Sequence, residues 1–246
     1  MQIVIPMAGK ASRFKTHEIK SPKPLLDVFG IPLAARAAQS IQNFGNNQYF
    51  FISLVEHKKW DIESRIKEYF PDSKFIYLEE PTRSPVETCL AAASELNQEL
   101  PVVFNDCDHI FKCPEFDHFL MKQEDSVTQN GSILYFKSND PRFSYIKTRK
   151  NGNSEYVQSA IEKQVISDHA VCGTYFFKSV DIFKQLSRNQ LKYISKREVF
   201  MIELIDLLAK TKGDVTAFKT TYHKSLGTPE EYNDAIKDIA FRKLLT

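Results

Sequence analysis

The sequence predicts an α/β fold of three layers built on a mostly parallel sheet. Three observations predict it. Short apolar runs rich in branched and aromatic side chains recur at residues 2–6, 49–55, 74–78 and 101–105, as buried strands do. Between them, residues 31–43, 60–70 and 86–96 place apolar side chains at helical spacing. Strands and helices that alternate in this way build right-handed βαβ units. The third observation is length: 246 residues suit one domain with a sizeable core.

The first strand runs straight into Met7-Ala8-Gly9-Lys10-Ala11-Ser12-Arg13-Phe14, and Ser21-Pro22-Lys23-Pro24-Leu25-Leu26 comes soon after. Gly9 and Ala11 carry almost no side chain, so backbone N–H groups there can approach a polyanion closely. Arg13 and Lys23 add two positive charges, and Pro22 and Pro24 each fix their own φ on either side of Lys23. The stretch reads as a site for a nucleoside triphosphate. It is neither the Walker pattern G-x-x-x-x-G-K-[ST] nor the dinucleotide pattern G-x-G-x-x-G.

The helix predicted over residues 31–43 is stopped by Gly45-Asn46-Asn47, and the one over 60–70 by Pro71-Asp72. In the loop over 79–88, Pro85 can open the helix over 86–96, with Glu87 in its first turn. The fourth strand leads into Asp106-Cys107-Asp108-His109. Acidic side chains at the carboxyl end of a parallel strand lie where open α/β sheets bind ligands, and carboxylate oxygens suit Mg²⁺. An exposed acidic turn would have the same spacing, which by itself leaves both readings open.

Beyond residue 111 the alternation weakens. A helix over 114–123 is followed by strands at 132–136, 145–148 and 157–161, with Asn151-Gly152-Asn153 as a turn between two of them. This more antiparallel half is expected as a lid over the parallel sheet. Glu162-Lys163 follows and, taken alone, reads as a solvated surface pair. An amphipathic helix over 198–210, a short strand over 215–219 and a terminal helix complete the chain. The expected organisation is one domain over 1–246: 1–111 mainly for the nucleotide, 112–225 mainly for an acceptor and lid, 226–246 the terminal helix.

Composition excludes several classes. The 33 basic and 31 acidic residues leave a net charge of +2, too even for a general nucleic-acid binder. Cys89, Cys107, Cys113 and Cys172 show no C-x-x-C pair and no zinc spacing, which suits reduced thiols in a cytosol. No apolar run reaches the length of a membrane span, and the start has no basic n-region. The expected setting is the cytoplasm, without membrane or nucleic acid as partner. Assembly into a homo-oligomer is compatible with the sequence.

The ordered strings Ala8-Gly9-Lys10-Ala11-Ser12-Arg13-Phe14 and Pro22-Lys23-Pro24-Leu25-Leu26 resemble the G-x-G-x-R and P-K opening of the nucleotidyltransferases that make nucleotide-activated sugars. They are most similar to the short members found with bacterial capsule and lipopolysaccharide genes. Further strings agree. Cys107-Asp108 falls where that family has Gly-Asp after a strand. Glu162-Lys163 and Gly173-Thr174-Tyr175-Phe176-Phe177 resemble its Glu-Lys and Gly-x-Tyr-x-Phe segments. Gly227-Thr228-Pro229-Glu230-Glu231-Tyr232 resembles its closing Asp-x-Gly-Thr-Pro.

The resemblance implies a Rossmann-like nucleotidyltransferase fold with an antiparallel acceptor-binding part. It also implies transfer of a nucleoside monophosphate from an NTP to a sugar 1-phosphate, giving an NDP-sugar and pyrophosphate for capsule or surface polysaccharide. On that reading Ala8, Gly9, Lys10, Ala11 and Ser12 hold the triphosphate, Arg13 neutralises the leaving pyrophosphate and Lys23 acts at the α-phosphoryl group. Thr82, Ser84 and Thr88 lie at the base-reading loop. Asp108 holds Mg²⁺, with Asp106 as the alternative ligand. Asp106, Glu162, Lys163, Gly173 and Thr228 meet the acceptor. Two departures stand out. Ala11 replaces a glycine, a mild change if its φ is negative. Ser225 stands where many members have a second metal-binding aspartate, so either the metal has one protein carboxylate or another acid replaces it. The base (CTP, dTTP, UTP or GTP) and the acceptor stay open. The alternatives are a cytidylyltransferase for a phosphocholine-like or phospho-amide-like acceptor, and a degenerate nucleotide-binding regulatory protein. The hexapeptide repeat of an acyltransferase domain, carried by some relatives, is not visible.

Overall fold

The computed structural model describes residues 1–14, 21–41, 47–125, 129–193, 197–213 and 215–245. β1 (Gln2–Pro6) is followed by a short hairpin, β2 (Asp27–Val28) and β3 (Ile31–Pro32), and by α1 (Leu33–Ala38). Next come β4 (Gln48–Leu54), α2 (Ile62–Lys67), β5 (Lys74–Leu78), α3 (Pro85–Ala91) and β6 (Val102–Asn105). The second half holds β7 (His109–Lys112), α4 (Pro114–Asp125), β8 (Gly131–Lys137), β9 (Tyr145–Asn151), β10 (Ser154–Ile161) and β11 (His169–Phe177). It continues through α5 (Val180–Tyr193), α6 (Met201–Thr211), β12 (Val215–Lys219), β13 (Tyr222–Ser225), α7 (Pro229–Lys237) and α8 (Ile239–Leu245).

Alternation along the central strands makes the three layers. Ile3 and Ile5 of β1, Tyr49 and Phe51 of β4 and Val103 of β6 face one core, with α1, α2 and α4. Val4, Phe50, Ile52, Leu54, Val102 and Phe104 face the other, with α3, α5 and α6. Period-two side chains buried on both sides are what a covered parallel sheet requires. A third cluster of Phe14, Leu26, Val28, Leu33, Ile110, Leu226, Ala235 and Phe241 binds the chain's last helices to its opening loops.

One sheet of nine strands runs β5-β4-β1-β6-β11-β8-β12-β10-β9. The first four are parallel. β11 enters antiparallel between β6 and β8, β12 lies parallel to β8, and β10 and β9 close the edge antiparallel. The antiparallel strands therefore extend the sheet itself, where the sequence pattern suggested a lid over it. The reason is β11, which is buried almost throughout and needs a neighbour on each side. A separate two-stranded ribbon pairs β7 with β13, His109 opposite Ser225.

Several helices differ from their predicted ranges. Ile31 and Pro32 pair with β2 across Phe29 and Gly30, both at positive φ, so α1 begins only at Leu33. The predicted end of that helix and its Gly45-Asn46 stop lie outside the described residues. Residues 60–70 divide at Asp61, in the left-handed region at φ 53°, into a 3₁₀ turn and α2. The terminal helix divides at Asp238, whose extended backbone ends α7 and whose carboxylate accepts from the N–H of Phe241 in α8. α5 and the β7–β13 ribbon had no counterpart in the sequence reading.

Candidate active site

β1 has β4 on one side and β6 on the other, so the loops leaving these strands diverge and open a crevice at their carboxyl ends. A cleft of about 680 Å³ lies there. The loop after β1 gives it Ala8, Gly9, Lys10, Ala11, Ser12 and Arg13, and the Pro22–Pro24 segment gives it Lys23. Thr82 and Ser84 line it from the turn before α3, Thr88 from the first turn of that helix, and Asp106 and Asp108 from the end of β6. All of these predicted positions meet in one cavity. Glu162, Lys163, Gly173 and Thr228 do not line it.

The loop after β1 is tight. Ala11 sits at φ 45°, in the left-handed region, contrary to the negative φ that would make the glycine replacement mild. A Cβ there works against the backbone by about 1–2 kcal/mol. Lys23 follows Pro22, held extended at φ −57° and ψ 143°, and opens a 3₁₀ turn that Pro24 continues. This rigid support aims its ammonium at Asp108, with which it forms an ion pair; the Gly227 carbonyl lies 3.5 Å from the same nitrogen.

β6 is anchored where it meets the cleft. Thr174 Oγ1 donates to Asn105 Oδ1 at 2.7 Å, and Asn105 Nδ2 donates to the Ala37 carbonyl at 3.2 Å. The next N–H, of Asp106, donates to the Gly173 carbonyl at 2.9 Å. Gly173 has φ 73°, and a Cβ on it would lie 2.5 Å from Asp106 Oδ2 and 2.9 Å from Asp106 Cβ. Gly173 is thus the residue that lets Asp106 lie against β11. Gly173→Ala is expected to displace Asp106 and lower the melting temperature by several degrees, since both the contact and the left-handed φ oppose a methyl group. Thermal unfolding checks this, and an unshifted midpoint would remove Gly173 from that role.

The two acids differ in charge. Burial, then the neighbouring Asp108 charge, pushes the Asp106 carboxyl up to about 8. Burial acts on Asp108 too, but the Lys23 ammonium, His109 and hydrogen bonds together outweigh it and hold that carboxyl down at about 2. For Lys23, burial is outweighed by Asp108 together with Cys107 and Asp106, so its ammonium stays above its ordinary pKa. Behind them, His109 Nδ1 and His223 Nε2 are 2.8 Å apart and His223 stacks on Phe136; burial lowers both imidazoles, His223 to about 2.

Other predicted residues have structural partners. Ser84 is the N-cap of α3, accepting from the Glu87 N–H at 3.3 Å. Thr82 and Thr88 hydroxyls meet at 2.6 Å, so these side chains shape the turn that faces the cleft. Thr228 is the N-cap of α7, accepting from the Glu231 N–H at 3.2 Å. Glu162 accepts from Ser144 Oγ, and Lys163 lies 3.4 Å from Glu162 and 4.8 Å from the Phe200 ring centre. Sequence reasoning missed His57, Trp60 and Glu198, which also line the cleft. His57 and Trp60 follow β4 and could have been found from their place at a strand's carboxyl end. Glu198 comes from the loop before α6 and has no local signal.

The open α/β sheet thus sets a small-residue loop, a largely covered lysine and an acid pair at its strand ends, where such sheets bind their ligands. The family model for nucleotidyl transferase matches residues 3–241, and the chain belongs to that family. It is a nucleotidyltransferase. A sequence search of curated proteins finds no match. Among solved structures it is similar to a nucleoside-diphosphate-sugar pyrophosphorylase from Vibrio cholerae RC9, with TM-score 0.81 and 20% identity over 96% of this chain and 100% of that one. It is also similar to the UTP-bound UGPase from Acinetobacter baumannii, with TM-score 0.72 and 17% identity over 99% and 98%. The inositol-1-phosphate CTP transferase from T. maritima matches with TM-score 0.75 and 10% identity over 99% and 94%. At such identities these likenesses show the fold.

Proposed function

We propose that this nucleotidyltransferase transfers a nucleoside monophosphate to a sugar 1-phosphate, with Mg²⁺ as cofactor, for synthesis of capsule or surface polysaccharide in the cytoplasm. The observation that carries the reading is the convergence of the β1 loop, Lys23 and the Asp106–Asp108 pair on one cleft. Among the described residues no helix is long and apolar enough to cross a membrane.

The acids fit a hard divalent cation. Asp106, Asp108 and His109 bring ligand atoms within 4.8 Å of one another, and two of the three donors are carboxylates. Burial sets the two carboxylates against each other, a conflict that a cation relieves. Asp108 would hold Mg²⁺, with Asp106 beside it. When bound, the ion neutralises phosphate charge and orients nucleotide and acceptor.

The chain's own groups do the rest. Backbone N–H groups from Gly9 to Ser12 bind the triphosphate, and Arg13 balances charge on the β and γ phosphates. An acceptor phosphate oxygen attacks the α-phosphorus as the bond to the pyrophosphate bridging oxygen breaks. Lys23 stabilises the charge that builds there. No general base is needed, because a phosphate monoester with a second pKa of about 6 is mostly a dianion at neutral pH. Glu162 and Lys163 would meet the acceptor from beyond the cleft, Glu162 at its hydroxyls and Lys163 at its phosphate.

Pyrophosphate release with each of four NTPs against a panel of sugar 1-phosphates and other phosphorylated alcohols tests this. Release that requires a sugar 1-phosphate and a divalent cation is expected. Trp60, the chain's single tryptophan, lines the cleft and reports nucleotide binding independently through its fluorescence. Release only with a non-sugar acceptor would replace the acceptor class, and no release with any pair would overturn the reading.

A further inference from the structure

Three oxygens converge on Gly227. A Cβ on that residue would lie 3.3 Å from Glu231 Oε2, 3.4 Å from Asp108 Oδ2 and 3.5 Å from Ser225 Oγ. The β7–β13 ribbon creates this meeting: Ser225 pairs with His109, and the Leu226 N–H donates to the Asp108 carbonyl at 2.8 Å. Ser225 Oγ donates to Glu231 Oε2 at 2.9 Å, and the N–H groups of Gly227 and Thr228 donate to the same oxygen at 2.9 and 3.1 Å. The other carboxylate oxygen of Glu231 pairs with Arg142 at 3.0 Å.

Part of this is ordinary helix capping. Glu231 is the third residue of α7, and its bond to the Thr228 N–H completes a capping box. Capping does not call for Ser225, for Gly227 or for Arg142. Nor does Arg142 cancel the Glu231 charge, because the same guanidinium also donates to both oxygens of Asp140. One cation shared by two carboxylates leaves a net negative charge beside Ser225. A hydroxyl that donates its hydrogen bond to a carboxylate is polarised by it and keeps its lone pairs for another partner.

We propose that Glu231, acting through the Ser225 hydroxyl, supplies a further negative charge to the cation site at Asp108. Glu231 is then a positioning residue that completes the site from behind Ser225. The inference rests on the reading of Asp108 as the Mg²⁺ ligand.

Mn²⁺ binding, counted by electron paramagnetic resonance, tests it on the full chain with and without methylene-bridged analogues of the four NTPs. Glu231→Gln keeps an oxygen for the cap and loses the charge. It should weaken Mn²⁺ binding about tenfold or more, the scale seen for groups that support a metal's own ligands. Ser225→Ala, which leaves the cap untouched, should weaken it in the same direction and answers the question if Glu231→Gln does not fold. Adding Ser225→Asp to Glu231→Gln should restore affinity, which a purely structural cap would not do. Unchanged Mn²⁺ affinity in folded Glu231→Gln or in Ser225→Ala overturns the inference and leaves Asp108 in place. Failure of the unmutated protein to bind Mn²⁺ under any of these conditions ends both readings.

Discussion

Lys23→Ala is expected to lower kcat by about 10²–10³-fold while changing the KM for NTP much less. Losing one preorganised donor aimed at developing charge has effects of about 3–4 kcal/mol. Lys23 meets the conditions for such a donor. Its side chain is only 13% exposed, two prolines fix the backbone around it, and its ammonium lies at the Asp108 carboxylate. A charge held this rigidly contributes most where negative charge is greatest, in the transition state, so kcat carries the loss. The substitution also leaves the part-buried Asp108 without its partner, and breaking a pair largely removed from water is destabilising. Melting temperatures with and without Mg²⁺ separate the two effects: the variant should gain more from the ion than the unmutated protein does. Single-turnover transfer then measures chemistry on folded protein. A folded variant retaining more than about a tenth of the rate, a change of only 1.4 kcal/mol, takes Lys23 out of the mechanism.

The cleft was legible in the sequence where its residues are local. β1, β4, β5 and β6 are short apolar runs with Gly, Pro or acid at their ends, and the loops that follow them supply Gly9, Arg13, Thr82 and Asp108. Strand ends in an open parallel sheet share one edge, so reading the strands also indicated where the cleft lies. The helices were less legible because tertiary partners set their limits. Pro32 is drawn into a hairpin with Asp27, and Asp238 interrupts the last helix. α5 was missed although Val180, Phe183 and Leu186 are buried at three-residue spacing. The period was present, and charged residues between them masked it.

Pairings across long stretches of chain had no local signal at all. β11 sits between β6 and β8, and β7 meets β13 more than a hundred residues away. That second pairing brings Ser225 and Glu231 to Asp108. Ser225 looked like a missing acid because the acid behind it belongs to the next helix, and Arg142 reaches it from the turn before β9. Glu162 and Lys163 could be singled out only by resemblance, since their partners Ser144 and Phe200 also depend on the fold.

Asp108→Asn is expected to abolish cation-dependent turnover, and Asp106→Asn to be milder. An amide keeps the shape of a carboxylate and loses the charge that holds a hard cation. Asp108 carries that charge: Lys23 holds its carboxyl ionised, and its side chain is 19% exposed and lines the cleft. Asp106 lies against Gly173, and burial together with the Asp108 charge already disfavours its ionised form. An asparagine there replaces a weaker charge in nearly the same volume. Both variants need a folding control, because Asp108→Asn leaves the Lys23 ammonium buried without its anion. Mn²⁺ titration supplies a readout that stability does not move: affinity should be lost in a folded Asp108→Asn and partly kept in Asp106→Asn. The reverse order of damage, with Asp106 the indispensable acid, would move the cation site to the β11 side of the pair and detach Ser225 and Glu231 from it.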